Sequence, residues 1–249
     1  MYRHLIISFI SAVLALPAGF AQNKNQPTVD ELVAKNVEAK GGANALHALQ
    51  SLRLTGKMLV QYGGQIELAY LQTKKRPGEV RTEASLQGMT QIEAYDGKEG
   101  WKVWPFFGRK DPEKMSADDV KPLMEDAEID GPLVDWKTKG STVEYLGTED
   151  VDGTPAYKLK VVRKNGDVSF VYLDPDHFLE IRVVTQRIRH GAQEEVETDL
   201  GDYEKAAGVF VPTSIESGRK GAPDKQKIII DKVEANVPVD DAIFHFPAK

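Results

Sequence analysis

Residues 95–107 read YDGKEGWKVWPFF and place two strand-like pieces on either side of an Asp-Gly pair. Such a pair between alternating runs is among the strongest short-range signals for a β-hairpin. The second piece carries four aromatic side chains, Trp101, Trp104, Phe106 and Phe107. A helical pattern then replaces the strand pattern from about Asp111 to Lys137. An aromatic cluster beside a helical insert in a long antiparallel sheet predicts a lid over an apolar pocket. It favours ligand binding over catalysis.

The chain from Leu52 onward alternates apolar and polar residues, for example over residues 66–71 and 157–162. Turn residues separate these runs at Gly63-Gly64, Pro77-Gly78, Asp152-Gly153, Asn165-Gly166, Pro175-Asp176, His190-Gly191, Gly208 and Gly221 to Pro223. Most intervals exceed the ~8–12 residues that are typical of small sandwiches. The pattern therefore predicts a mainly β fold with a helical plug or lid (α+β). We expect an incomplete, strongly curved antiparallel β-barrel of about eleven or twelve strands.

The first residues have the pattern of a secretory signal peptide. Arg3 precedes an apolar run from Leu5 to Leu16, and the small-residue site Gly19-Phe20-Ala21 follows. The run is shorter than the ~20 apolar residues that a membrane-spanning helix needs. We expect residues 1–21 to be cleaved and residues 22–249 to form a single exported, soluble domain in the periplasm. The site lacks the Cys that bacterial lipid attachment requires.

The composition excludes several classes of function. Lys and Arg number 32 against 38 acidic residues, which gives a formal net charge of −6 and argues against nucleic acid as a partner. The chain has no Cys, so disulfides, thiol catalysis and Cys-based metal sites are excluded.

Two helical regions have N-terminal capping signals. Thr28 and Glu31 form a capping box, and Gly41-Gly42 is expected to end the helix that follows. We expect this helix to pack on the concave side of the sheet. In the insert, Ser116 and Asp119 precede four apolar residues at helical spacing, Val120, Leu123, Met124 and Ala127.

Gly131-Pro132 is predicted to start a second short helix in the insert, which carries Leu133, Val134 and Trp136. Two amphipathic helices joined at this break can form a hinged flap. The alternative is a rigid helical cap that closes the core.

The sequence contains no recognisable catalytic constellation. The five His are scattered, and neither a His-based zinc motif nor a Gly-x-Ser-x-Gly nucleophile turn is present. Asp174-Pro175-Asp176 is better explained as a turn than as an acid pair. We therefore predict a non-enzymatic protein with no catalytic residue, no metal and no cofactor.

The candidate ligand-binding residues are apolar and aromatic side chains of the strands and of the insert. Trp101 and Trp104 are three residues apart, so a regular strand places them on opposite faces and only one can face a cavity. The candidates are Tyr70, Trp101, Trp104, Phe106, Phe107, Val120, Leu123, Met124, Trp136, Phe170 and Tyr172.

Several segments together resemble the LolA/LolB-like family of outer-membrane lipoprotein-sorting proteins. They are the N-terminal helix with Gly41-Gly42 and Leu46 to Leu49, Leu52 to Lys57, Tyr95 to Trp101, Asn165 to Pro175, and Pro238 to Pro247. The resemblance implies an open barrel of about eleven strands whose helices cover an apolar cavity. It also implies a periplasmic carrier that binds the acyl chains of lipoproteins or other lipids. An inner-membrane donor and an outer-membrane acceptor are the protein partners that it implies.

Two other hypotheses remain open. A structural or signalling module would have a solidly packed barrel and would dock a protein partner on its outer surface. A hydrolase or isomerase would bring His177, His190 or an acid pair together inside the pocket.

Overall fold

A computed structural model describes residues 26–247, and the expected signal peptide, residues 1–21, lies outside the described residues. One antiparallel sheet of thirteen strands dominates the fold. The strands are β1 (Ser51–Gln61), β2 (Gln65–Lys75), β3 (Glu79–Leu86), β4 (Met89–Tyr95), β5 (Gly100–Trp104), β6 (Arg109–Lys114), β7 (Thr142–Val151), β8 (Thr154–Val162), β9 (Val168–Leu173), β10 (Glu180–Arg189), β11 (Ala192–Ala206), β12 (Val209–Arg219) and β13 (Gln226–Ala235).

The strand order is β6-β5-β4-β3-β2-β1-β13-β12-β11-β10-β9-β8-β7. Two meanders, β1 to β6 and β7 to β13, are joined where β1 pairs with β13. The edges β6 and β7 do not pair, so the curved sheet stays open, which confirms the predicted fold class.

The count of thirteen exceeds the predicted eleven or twelve strands, and the turn between β3 and β4 shows one reason. Gln87 and Gly88 form this turn with φ of 51° and 80°. Gln seldom adopts a positive φ, so a Gln-Gly pair is a weaker hairpin signal than Asp-Gly or Asn-Gly. A second reason is β6, whose residues include the predicted start of the helical insert.

Three α-helices lie on one face of the sheet: α1 (Val29–Ala39), α2 (Ala43–Ala48) and α3 (Ala117–Asp126). Short 3₁₀ helices occupy Pro105–Phe107 and Asp241–Ile243. The Thr28–Glu31 capping box and the Ser116 cap are both present, as predicted. Within residues 26–247, no helix combines the length and the apolarity needed to cross a bilayer.

The predicted second helix of the insert is wrong. Residues after α3 form bends and turns up to Gly140, where β7 follows. Gly131 and Asp135 have positive φ, of 77° and 53°, which a right-handed helix does not accommodate. Leu133 and Val134 are nevertheless almost fully buried, so the apolar pattern marked core positions without specifying a helix.

Each helix covers a separate part of the sheet. From α1, Leu32 and Val33 pack on β8 and β9, and from α2, Leu46 packs on β1, β12 and β13. From α3, Val120 and Leu123 pack on β3 and β4. The helix-covered face is thus the inner face, as predicted for α1.

The two edge strands resist pairing with another chain. β6 consists largely of charged residues and contains Pro112, which has no N–H to donate. β7 has an irregular register between Tyr145 and Thr148. Charges, proline and bulges are the usual protection of a free edge.

Gly56 permits the closest backbone approach between β1 and β13. The register shifts between Thr55 and Gly56, and a Cβ at Gly56 would lie 2.0 Å from the Ile229 carbonyl oxygen and 2.8 Å from the Ile230 Cα. Both contacts are with backbone, which cannot move without disturbing the ladder.

We therefore expect Gly56→Ala to lower the free energy of unfolding by roughly 3 kcal/mol, the upper part of the range for overpacking. Chemical denaturation measures this loss. The matched control is Gly201→Ala in β11, where a Cβ meets no atom within 4 Å. Equal stability of the two variants would contradict the assigned β1–β13 register.

Candidate functional site

A chamber of about 330 Å³ lies between the inner face of the sheet, α2 and the loop that follows α3. This volume is at the lower end of the range for small-molecule sites, roughly 300–1,000 Å³. Most of its wall is apolar. The apolar residues include Leu46, Leu49, Leu52, Leu54, Tyr70, Ile129, Val183, Leu200, Val209, Val211, Ile215 and Ile228.

Strand alternation explains which side chains form this wall. In β1, Leu52 and Leu54 are buried on the inner face. In β2, inward positions recur every second residue, so Tyr70, Gln72 and Lys74 share one face. The inner face of β2 therefore changes from apolar to polar along the strand.

A second chamber of about 150 Å³ adjoins the first, with which it shares Tyr70, Gln72, Asp126, Gln226 and Ile228. Its lining is more polar and adds Thr82, Gln91 and Glu93. An apolar space that continues into a polar one suits an amphiphilic ligand better than a hydrocarbon.

Lys74 and Asp126 are two charged groups that line the larger chamber, and Asp126 also lines the smaller one. Lys74 belongs to β2, and Asp126 is the last residue of α3. The Asp126 side chain is accessible, yet burial raises its pKa, and the nearby Lys74 opposes that rise. Burial also lowers the pKa of Lys74, which Asp126 opposes. Each of the two groups thus opposes the effect of burial on the other.

The other charged groups that line the larger chamber are paired. The Lys40 amine lies 2.9 Å from a Glu180 carboxylate oxygen and donates to the Asp130 carbonyl oxygen at 3.0 Å. Glu128 lies 2.9 Å from the Arg163 guanidinium. Lys74 and Asp126 also line this chamber, and the described residues form no ion pair with either of them.

Polar contacts attach α3 to the hairpin of β10 and β11. The Arg187 guanidinium lies 3.0 Å from Glu125 of α3 and 3.3 Å from Glu194. Lys121 donates to the Ile188 carbonyl oxygen at 2.6 Å, and the His190 backbone N–H donates to Asp118 at 2.9 Å. We call these contacts the α3 latch. Because α3 also packs on β3 and β4, it spans the two meanders.

The structure brings four of the predicted site residues to the inner face. Tyr70 lines both chambers, and Leu123 lines the smaller one. Val120 packs α3 onto the sheet. Trp104 is half-buried on the inner face, where Lys102 stacks on its ring at 4.5 Å.

Three predicted residues lie on the opposite face of the sheet. The Trp101 indole N–H donates to the Phe244 carbonyl oxygen at 2.7 Å and so holds the C-terminal segment on the outer face. Phe170 and Tyr172 pack with Val184 in an outer cluster. Trp101 and Trp104 thus face opposite sides, as their spacing predicts.

The remaining predicted residues lie away from both chambers. Phe106 and Phe107 belong to a 3₁₀ turn, where Phe107 is 74% exposed. Met124 is on the outer side of α3 and is 43% exposed. Trp136 packs beside the α1 cluster.

The sequence analysis did not select Lys74 or Asp126. The alternation that places Tyr70 inward also places Gln72 and Lys74 inward, so the strand pattern alone could have predicted Lys74 as a chamber residue. No local pattern in α3 indicated Asp126, because its position depends on how the helix lies across the sheet.

The structure does not bring the candidate catalytic histidines into the chambers. The His177 and His190 side chains are 78% and 57% exposed at turns. Two carboxyls, of Glu93 and Asp126, do line the smaller chamber, and burial raises the pKa of both. Within residues 26–247, no group of three or more His, Asp or Glu is arranged to hold a metal.

No protein-family model and no curated protein matches this chain. Solved structures do match it across almost their whole length. A domain assigned to outer membrane lipoprotein sorting, from Vibrio parahaemolyticus, has a TM-score of 0.60 and 12% identity, with 87% of this chain and 97% of that chain covered. A LolA superfamily protein from Nitrosomonas europaea has a TM-score of 0.59 and 12% identity, with 88% and 98% covered.

A DUF1329 family protein from Desulfovibrio piger is similar to the same degree, with a TM-score of 0.60, 13% identity, and 88% of this chain and 98% of that chain covered. At these identities the matches establish a shared fold. They confirm the resemblance to LolA-like proteins at the level of architecture.

Glu125 in the α3 latch provides a test that depends on pH. Burial raises its pKa from 4.5 to about 7, although Arg187 opposes the rise. A carboxyl with a raised pKa binds its proton more tightly in the folded state. Its contribution to stability is therefore full below pH 4.5 and is lost as the pH rises through about 7.

We expect the stability difference between the wild type and Glu125→Gln to fall by about 2 kcal/mol between about pH 5 and about pH 8. Urea denaturation at both pH values measures it. Glu144→Gln removes an exposed carboxylate of β7 as the control. A difference that rises with pH would mean that the Arg187 contact outweighs burial.

Proposed function

We propose that this protein is a periplasmic carrier that encloses acyl chains of lipoproteins or other lipids in its chamber, with α3 and the loop that follows it as the cover. The observation that carries the proposal is the apolar chamber of about 330 Å³ beneath the helices. Burial of acyl chains contributes about 0.8 kcal/mol per CH₂, so binding needs no covalent chemistry.

The shared fold supports this proposal, because two of the matched proteins are a lipoprotein-sorting domain and a LolA superfamily protein. The signal-peptide pattern of residues 1–21 supports export to the periplasm. A carrier between two membranes also needs a donor at the inner membrane and an acceptor at the outer membrane, which we propose as its protein partners.

The alternative function is a structural module, in which the barrel would be solidly packed. The chamber favours the carrier, since its wall residues lose packing contacts unless a ligand fills the space. Native mass spectrometry of protein isolated from a bacterial periplasm, followed by solvent extraction, tests for bound lipid directly. Protein that carries no lipid and binds no acyl compound would refute the carrier.

A hydrolase is the second candidate, because Glu93 and Asp126 both line the smaller chamber. Carboxyls with raised pKa values that line a cavity are typical of catalytic acids. Incubation with a long-chain monoacylglycerol separates the two functions. A carrier returns the ester intact, whereas a hydrolase returns the free fatty acid, and Asp126→Asn would stop its release.

We expect Ile215→Trp, which fills the chamber from β12, to weaken binding of a fluorescent monoacylglycerol by at least roughly tenfold. The variant should keep the melting temperature of the wild type, because the larger side chain enters existing space. Fluorescence titration and thermal melting measure the two effects.

Leu146→Trp is the matched control, since Leu146 is 43% exposed on β7 and does not line the chamber. Unchanged affinity in the Ile215→Trp variant would show that the ligand binds elsewhere.

A further inference from the structure

We infer that the chamber selects amphiphiles whose polar group has no net charge, because Lys74 and Asp126 form a charge-balanced couple inside it. This inference rests on the proposed function and specifies the class of ligand. An ester-linked glycerol and a zwitterionic headgroup both satisfy it, whereas a free fatty acid and a long-chain amine do not.

The couple joins two different elements across the chamber. Lys74 extends the inward row of β2 beyond Tyr70 and Gln72, and Asp126 ends α3 above it. Both residues line the larger chamber, and Asp126 also lines the smaller, more polar one.

Neither member of the couple has a close partner within the described residues. Lys74 and Asp126 take part in no ion pair shorter than 4.0 Å, including one with each other. Removing a charge from water is costly unless another polar group compensates for it. Each group favours the charged form of the other, as the directions of their pKa shifts indicate. The space between them can therefore accept a polar group that donates to Asp126 and accepts from Lys74.

The other charged groups that line the larger chamber are paired with groups of opposite charge. Lys40 is paired with Glu180, and Glu128 is paired with Arg163. In the smaller chamber, Glu93 lies directly opposite Lys102 in the β4–β5 register.

A ligand with a net charge would leave the chamber with a net charge of the same sign. A carboxylate would bring a second negative charge beside Asp126, and an ammonium group would bring a second positive charge beside Lys74. Either ligand would leave the chamber with an uncompensated charge. With a neutral or zwitterionic group, the summed charge of Lys74, Asp126 and the ligand stays at zero. Such a group also forms hydrogen bonds with both side chains.

The experiment compares three ligands of equal chain length: a monoacylglycerol, a fatty acid and an alkylamine. Each competes near neutral pH with a fluorescent monoacylglycerol on the intact mature protein. The wild type should bind the monoacylglycerol more tightly than either charged ligand, by roughly tenfold.

The charge variants should change this order in opposite directions. Asp126→Asn leaves Lys74 alone and should improve fatty-acid binding relative to the monoacylglycerol by about tenfold. Lys74→Gln leaves Asp126 alone and should favour the alkylamine to a similar extent. The double variant is neutral again and should recover the wild-type order, which a merely misfolded chamber cannot do. Lys232→Gln, in the exposed Lys232–Glu234 pair, controls for loss of a lysine elsewhere.

Two results would overturn the inference. If the wild type preferred the fatty acid, or if the single variants kept the wild-type order, the couple would not select by charge, and the carrier function would stand. If none of the three ligands bound, the carrier function itself would fail, and the inference would fail with it.

Discussion

The ladder between β1 and β13 is the contact on which the rest of the structure depends. Each meander could form from local hairpins, but only this pairing joins the first strand of one to the last strand of the other. It brings together residues that lie far apart in the chain, such as Leu52 and Ala235. The inner wall of the larger chamber runs across this junction, from Leu54 to Ile228. Without the ladder there would be two sheets and no shared concavity.

The concavity then has to be covered, and the helices cover it only in part. Each of the three packs on its own patch of the inner face, and the patches do not merge into one close-packed layer. The larger chamber remains where α2 and the loop after α3 meet over the middle strands. A sheet of thirteen strands has more inner surface than three short helices can fill. The chamber thus exists because the inner surface of the sheet is larger than the area that the three helices cover.

Much of this fold could be predicted from the sequence because its signals are local. Asp-Gly and Asn-Gly turns, strand alternation and two helix caps depend on residues close together in the chain. The failures arose where tertiary contacts prevailed. Leu133 and Val134 have helical spacing but are buried from a turn, and Gln87-Gly88 forms a hairpin without the usual residues. For the site, alternation explains Tyr70 and Lys74, whereas Asp126 comes from a helix whose placement the sequence does not encode locally.

The segment between β6 and β7 links the two free edges of the sheet, since these strands are neighbours in the chain but lie at opposite ends of the strand order. α3 is part of that link, and its side chains also bind both meanders. A displacement that spreads the edges would therefore have to break the contacts of α3 with one of the two meanders. Widening of the half-barrel is thus coupled to detachment of the helix that covers part of its interior. A ligand too bulky for the closed chamber would have to raise its own cover as it enters.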